Sequence, residues 1–369
     1  MNTTIPLVDL GAQQLEIDEE VMTGLKEIFA TTSFIGGAAV NRFEQSYADY
    51  LGARHCIGVG NGTDALELAL RAAGVTAGGE VILPANTFIA TAEAVCRLGA
   101  VPVLVDVDPE HLLIDPECVR ATVSERTQAI VPVHLFGQTA FVEQLEPIAA
   151  SCGAVIIEDA AQSQGATRFG RAAGTLGVAA GTSFYPGKNL GAAGDAGAVL
   201  TENDAVAAQV RLLSAHGSAQ KYEHSAVGMN SRLDTVQAVV LNAKLARLER
   251  WNERRRQAAE RYGALLSAVD GVELPRQAEG NQDVWHLYVV RVDDRDRVLA
   301  ELNEAGIGAG IHYPTPVHLT EAFADLGLDE GTYPVAEEAA GRILSLPLYP
   351  HITEEQQQRV VDVLAATVS

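Results

Sequence analysis

The chain has 369 residues and a formal net charge of −22, a length that supports a large core and two lobes. Such acidity argues against nucleic acid and anionic membrane as partners, while leaving room for a local cationic pocket. The four cysteines, Cys56, Cys96, Cys118 and Cys152, contain no C-x-x-C pair, so no zinc site is expected and no metal is assigned. Cys56 and Cys96 lie in apolar runs and read as core thiols in a reducing cytoplasm. The first residues, Met1–Pro6, lack the basic and apolar regions of a signal peptide, and no apolar run is long enough to span a bilayer.

In chain order, apolar residues at helical spacing predict a helix over Gln14–Thr32, broken by Ser33–Gly37, and a second over Asn41–Leu51. His55–Val59 reads as a short apolar strand. Asn61-Gly62-Thr63-Asp64 follows it and opens a helix to about Ala73. Strand, glycine and helix start together form an anion-binding arrangement, because free backbone N–H groups and the helix dipole face the ligand. Asn61 or Thr63 is the expected N-cap. Glu80–Pro84 is the next strand, and Asn86–Thr91 leads into a helix that carries Phe88 near its start.

Val101–Val105 is a strand, Asp115–Val123 a helix and Ala129–Val133 a strand. His134, at the end of that strand, reads as a satisfied core histidine. Ala154–Glu158, Ala179–Tyr185 and Gly197–Thr201 are further buried strands. Strands alternating with helices from His55 to Val199 predict an α/β domain with a mostly parallel sheet. A long helix is expected over Asp234–Leu266, with Arg232 and Asp234 as an ion pair beside its start. Its arginines, Arg247, Arg250, Arg254, Arg255 and Arg256, read as a solvated face. The rest reads as a smaller α+β lobe: strand His286–Val292, helix Asp294–Ala305, strand Ala309–Tyr313 and a last helix Thr353–Val368. The division expected is 1–245 for the large domain and 246–369 for the small one.

Two stretches carry the chemistry. Glu158-Asp159-Ala160-Ala161-Gln162-Ser163 places an acid at the carboxyl end of a buried strand, where α/β sheets bind ligands. Ser183-Phe184-Tyr185-Pro186-Gly187-Lys188-Asn189-Leu190-Gly191 sets one lysine in a turn of small residues. A lysine with a pKa lowered by burial suits imine formation with a carbonyl cofactor. A carboxylate against the ring nitrogen of pyridoxal phosphate keeps that ring an electron sink.

These motifs resemble the nucleotide-sugar aminotransferases, fold-type-I pyridoxal-phosphate enzymes of the aspartate aminotransferase superfamily, and the resemblance runs from Pro6 to the chain end. It implies a large domain with a mixed, mostly parallel sheet that includes one antiparallel strand, and a smaller α+β domain. It further implies Lys188 and Asp159 as the catalytic pair. Gly62, Thr63 and Ser183 would hold the cofactor phosphate, together with Asn230 of a neighbouring subunit in a homodimer. Phe88 would stack on the ring, Gln162 would bond its 3-oxygen, and Tyr185, His312 and Tyr313 would contact substrate.

The run His312-Tyr313-Pro314-Thr315-Pro316 resembles the branch that aminates 3-keto sugars. The implied reaction moves an amino group, from L-glutamate, to C3 of a dTDP-3-keto-6-deoxyhexose. A 4-keto nucleotide sugar and a cyclitol ketone are the alternative acceptors. A non-catalytic pyridoxal-phosphate-binding regulator is the alternative of another class. Related dehydratases carry histidine where this chain has Lys188, so amino transfer is the expected chemistry.

Overall fold

In the computed structural model, which describes residues 4–220 and 222–368, the chain alternates strands and helices through its first two hundred residues. Residues 1–3, part of the Met1–Pro6 stretch read above, lie outside the described residues. Helices α1 (Leu10–Leu15), α2 (Asp18–Thr31) and α3 (Ala38–Leu51) precede strand β1 (His55–Val59). There follow α4 (Gly62–Ala72), β2 (Glu80–Pro84), α5 (Ile89–Arg97), β3 (Val101–Val105), α6 (Pro116–Thr122), β4 (Thr127–Ile130), α7 (Val142–Cys152) and β5 (Val155–Asp159). A short hairpin, β6 (Thr167–Arg168) and β7 (Arg171–Ala172), leads to β8 (Ala179–Ser183) and β9 (Gly197–Thr201).

Seven strands make one sheet in the order β1-β9-β8-β5-β4-β2-β3. Only β9 runs against its neighbours, pairing antiparallel with both β1 and β8. The carboxyl ends of β1, β2, β5 and β8 therefore open on the same edge. The sheet is buried on both faces, and β2 is buried at every residue, as expected of parallel strands covered by helices. Local chemistry sets the helix ends. The Asn61 side chain accepts from Asp64 N at 2.8 Å and caps α4. Asp115 caps α6, with Pro116 in its first turn. Gly52 and Gly153 close α3 and α7 in the left-handed conformation.

After α8 (Asp204–Ser214), the hairpin β10 (Ser218–Gln220) and β11 (Glu223–His224) leads to α9 (Thr235–Leu266), 32 residues long. The expected domain boundary at 245 falls inside this unbroken helix. The last part contains β12 (Val272–Glu273), β13 (Asn281–Gln282), β14 (Tyr288–Val292), α10 (Arg295–Glu304), α11 (Pro334–Arg342), β15 (Ile343–Leu346) and α12 (Glu354–Val368). A three-stranded sheet, β12-β14-β15, packs with α10, α12 and the end of α9 around its own apolar cluster. Ile5 crosses to this lobe, donating to the Gly306 carbonyl and accepting from Gly308 N. No helix of the described residues is long and apolar enough to cross a membrane.

Several expectations change. The single helix over Gln14–Thr32 is two, because Asp9 caps an earlier turn and the chain bends at Glu16, which is tied to Arg254 and His351. The expected strand Ala309–Tyr313 is reduced to one bridge between Gly310 and Ser345, since Pro314 and Pro316 end the pairing. Arg232 and Asp234 are both exposed and form no ion pair with each other. Cys96 is exposed on the outer side of α5, whereas Cys56 is buried. Arg255 is 1% exposed, so it is no part of a solvated face. Its guanidinium donates to the carbonyls of Trp285 and Leu348, 3.2 and 3.0 Å away, and pins α9 to the chain entering β14.

Asp283 is also buried, and its Oδ1 has no protein partner among the described residues. Burial pushes its carboxyl up to about 7. The folded-state pKa lies above the unfolded one, so this group's contribution is fully present below the unfolded value and is lost as pH rises through about 7. Asp283→Asn removes that loss. Thermal unfolding should show the variant gaining on the parent at pH 8, with the gain disappearing towards pH 4.

Candidate active site

A cavity of about 650 Å³ opens along the carboxyl edge of the large sheet, between that edge and the C-terminal lobe. Asp159 ends β5 and faces into it. Side chains alternate along the strand, so the preceding Glu158 points the other way. There its carboxylate accepts from the N–H groups of Gly174, Leu176 and Gly177, each at 2.7 Å, and meets His134 Nε2 at 2.8 Å. His134 is thus the core histidine that was expected. Asp159 turns its carboxylate to the cavity. Its Oδ2 accepts from the Thr91 hydroxyl at 2.7 Å and its Oδ1 from Ala161 N at 3.1 Å.

Lys188 lies on the same cavity, in the turn after β8. Burial pushes its amine down to about 8, with the Asp159 charge acting in the opposite direction. A neutral fraction of about a quarter at pH 7.5 follows, enough to attack a carbonyl. The residue after it, Asn189, is buried and spends both amide N–H groups on Asn252 Oδ1 and the Val284 carbonyl, each at 2.9 Å. Its oxygen therefore faces His286 Nδ1, 3.2 Å away, and that nitrogen must carry the proton. Burial, then the charge of Lys188, holds His286 well below the usual histidine range. The imidazole is neutral, with its Nε2 lone pair left for the cavity it lines.

At the far end, α4 starts against β8. The N–H groups of Gly62 and Thr63 have no protein acceptor among the described residues, and Ser183 stands beside them. A Cβ on Gly62 would come within 2.6 Å of Ser183 Cβ, so only glycine lets the helix start approach this closely. Gly62→Ala should weaken cofactor retention about tenfold or more by tilting those N–H groups; equilibrium titration with cofactor measures it.

The cavity also brings together the other expected side chains. Gln162 Oε1 accepts from Phe136 N at 2.6 Å and its amide nitrogen donates to Tyr313 Oη at 3.1 Å, leaving one N–H for a ligand. Phe88, 51% exposed, lies against Tyr313 with ring centroids 5.1 Å apart. His312 sits on Ser345 Oγ through Nδ1 at 2.8 Å, and Tyr185 stands at the rim. Asn230 is exposed and does not line the cavity of its own chain.

Sequence reasoning missed Thr87, Thr91, Leu7, Val8 and Arg97. Thr87 follows a buried strand's carboxyl end, the same signal that singled out Asp159. Leu7 and Val8 reach the cavity only through the pairing of Ile5 with the C-terminal lobe, which no local pattern announces. Arg97 is claimed by Glu67 at 2.8 Å and Asp64 at 3.2 Å.

A buried amine and a strand-end carboxylate in one cavity, with open N–H groups at a helix start, fit pyridoxal phosphate: a carbonyl, a ring nitrogen and a dianion each find their complement. The fold and site define a fold-type-I pyridoxal-phosphate aminotransferase. The sequence profile of the DegT/DnrJ/EryC1/StrS aminotransferase family matches residues 15–365, and the chain belongs to that family.

Among its relatives, a pleiotropic regulatory protein of Geobacillus stearothermophilus is 47% identical over 98% of both chains. The dTDP-3-amino-3,4,6-trideoxy-alpha-D-glucose transaminase of Streptomyces venezuelae is 42% identical over 97% of this chain and 94% of its own. The crystal structure of S. venezuelae DesV in complex with a ketimine intermediate superposes with a TM-score of 0.96 at 41% identity, covering 98% of each chain.

Proposed function

We propose that this aminotransferase moves the amino group of L-glutamate to the C3 keto group of a dTDP-linked 3-keto-6-deoxyhexose, in the cytoplasm and as a homodimer. The observation that carries amino transfer is the presence of Lys188 and Asp159 on one cavity; a protein that only binds the cofactor has no use for a group that moves the donor's proton. Support for the acceptor is the likeness to the S. venezuelae dTDP-sugar transaminase over nearly the whole chain, together with the His312–Pro316 run.

Pyridoxal phosphate, when bound, supplies an aldehyde to carry the amino group and a ring that spreads the charge left at the donor's α-carbon. Lys188 would hold the group through its amine and, when that amine is free, would move the proton at the donor's α-carbon as base and acid. Asp159 keeps the ring nitrogen protonated. Gln162 would donate to the ring's 3-oxygen through its remaining N–H, and Phe88 would lie against the ring. Gly62, Thr63 and Ser183 hold the phosphate, joined by Asn230 of a second copy. Tyr185, His312 and Tyr313 orient the sugar.

The test is a pair of half-reactions. Protein loaded with pyridoxal phosphate is given glutamate, and the cofactor's visible band is followed as it gives way to the pyridoxamine form. A dTDP-3-keto-6-deoxyhexose is then added. Return of the band, with an aminated sugar nucleotide by mass spectrometry, supports the reading. Loss of the band without return sinks the 3-keto acceptor and redirects the search to 4-keto sugars and cyclitol ketones. No response to any amino donor overturns amino transfer.

A further inference from the structure

Asp159 is held by more than its place on β5. The Thr91 hydroxyl donates to Oδ2 at 2.7 Å, and Ala161 N–H donates to Oδ1 at 3.1 Å. An ionised carboxylate only accepts, so the Thr91 proton is committed to it. Thr91 Oγ1 also lies 2.7 Å from Thr87 Oγ1. With its own proton spent, Thr91 must accept here and Thr87 must donate. The two hydroxyls thus form a one-way relay, Thr87 to Thr91 to Asp159, whose members are 2%, 1% and 6% exposed. Burial this complete strengthens each bond and makes an unpaired oxygen costly. Thr87 lines the cavity and, its proton committed, shows a ligand only acceptor lone pairs.

We propose that Thr91, oriented by Thr87, is a positioning residue that holds the Asp159 carboxylate in one rotamer, and that losing its hydroxyl weakens cofactor retention most on the acid side. The inference rests on the reading that Asp159 faces the cofactor's ring nitrogen. The other ionisable groups that act on Asp159 are Lys188, across the cavity, and Tyr313, from the loop beyond β14. Lys188 attracts the carboxylate charge. Tyr313 stays protonated, because burial and the charge of Asp159 both push its phenol up. Neither fixes the carboxylate's direction. The Thr91 and Ala161 donors do, because hydrogen bonds weaken steeply away from linearity.

The experiment compares Thr91→Val and Thr91→Ser with the parent. Each protein is titrated with pyridoxal phosphate from pH 5 to 9, and the half-reaction with glutamate is timed at pH 7. In Thr91→Val the pH at which affinity starts to fall on the acid side should rise by about one unit, and the half-reaction should slow about tenfold, the worth of one hydrogen bond to a charged group. Thr91→Ser keeps the hydroxyl and should restore both. Affinity lowered evenly at every pH, or a serine variant that behaves as valine does, marks Thr91 as packing only and overturns the proposal. A shifted acid limb in Thr91→Val, with a parent that ignores every amino donor, leaves the relay standing and sinks amino transfer instead.

Discussion

Lys188→Ala is expected to reduce amino transfer by roughly 10⁴-fold or more, because one side chain serves as covalent anchor, base and acid. The fold should survive. Lys188 makes no ion pair among the described residues, and its burial costs stability through desolvation of the ammonium, as the lowered pKa records. The variant should still bind pyridoxal phosphate through the helix start at Gly62 and Thr63 and through Asp159. Its bound cofactor should show the absorbance of the free aldehyde, where the parent shows that of a lysine conjugate. A variant that retains more than about a hundredth of the parent's rate with glutamate, a loss that general acid–base catalysis alone could account for, would remove Lys188 from its assigned role.

Asp159→Asn should slow the reaction by roughly 10²–10³-fold, since it removes the fixed charge that stabilises a protonated ring. A second effect carries a sign that packing damage would not mimic. Asp159 raises the Lys188 pKa against the larger pull of burial, and the balance stands at about 8. Without the carboxylate, the balance tips further towards the neutral amine. Covalent capture of pyridoxal phosphate by cofactor-free protein needs that neutral amine, so its rate should rise with pH with a midpoint near 8 in the parent. In Asp159→Asn the midpoint should move lower. A midpoint near that of an ordinary lysine, 10.5, in the parent would mean that the amine is not desolvated in solution.

Much of this molecule is written in local pattern. The strands His55–Val59, Glu80–Pro84, Val101–Val105 and Gly197–Thr201 carry the boundaries read from apolar runs between turn residues, because strands covered by helices on both faces read as mostly continuous apolar runs. Helix α4 follows from Asn61 as cap and an amphipathic run behind it. Lys188 and Asp159 were legible because each sits in a short motif at a predictable place, the end of a buried strand or the turn after one. Helices α7 and α11 were not read from the sequence; α7 contains Pro147 and α11 starts at Pro334.

Other features exist only once distant segments meet. The reversed direction of β9 depends on its place between β1 and β8 and leaves no mark on its own five residues. The break between α1 and α2 comes from Glu16 meeting Arg254 and His351, partners more than two hundred residues away. Arg255 looks like its neighbours on α9 and is buried because three carbonyls from the C-terminal lobe converge on it. The same holds within the site. By itself the sequence determined the cofactor chemistry, since an amine and an acid at strand ends need only local rules to be placed. Tertiary structure alone decided the tautomer of His286, through Asn189 and Asn252, and the direction of the Thr87–Thr91 relay. Both depend on which donors are already spent, and that is a property of contacts between segments that share no local pattern.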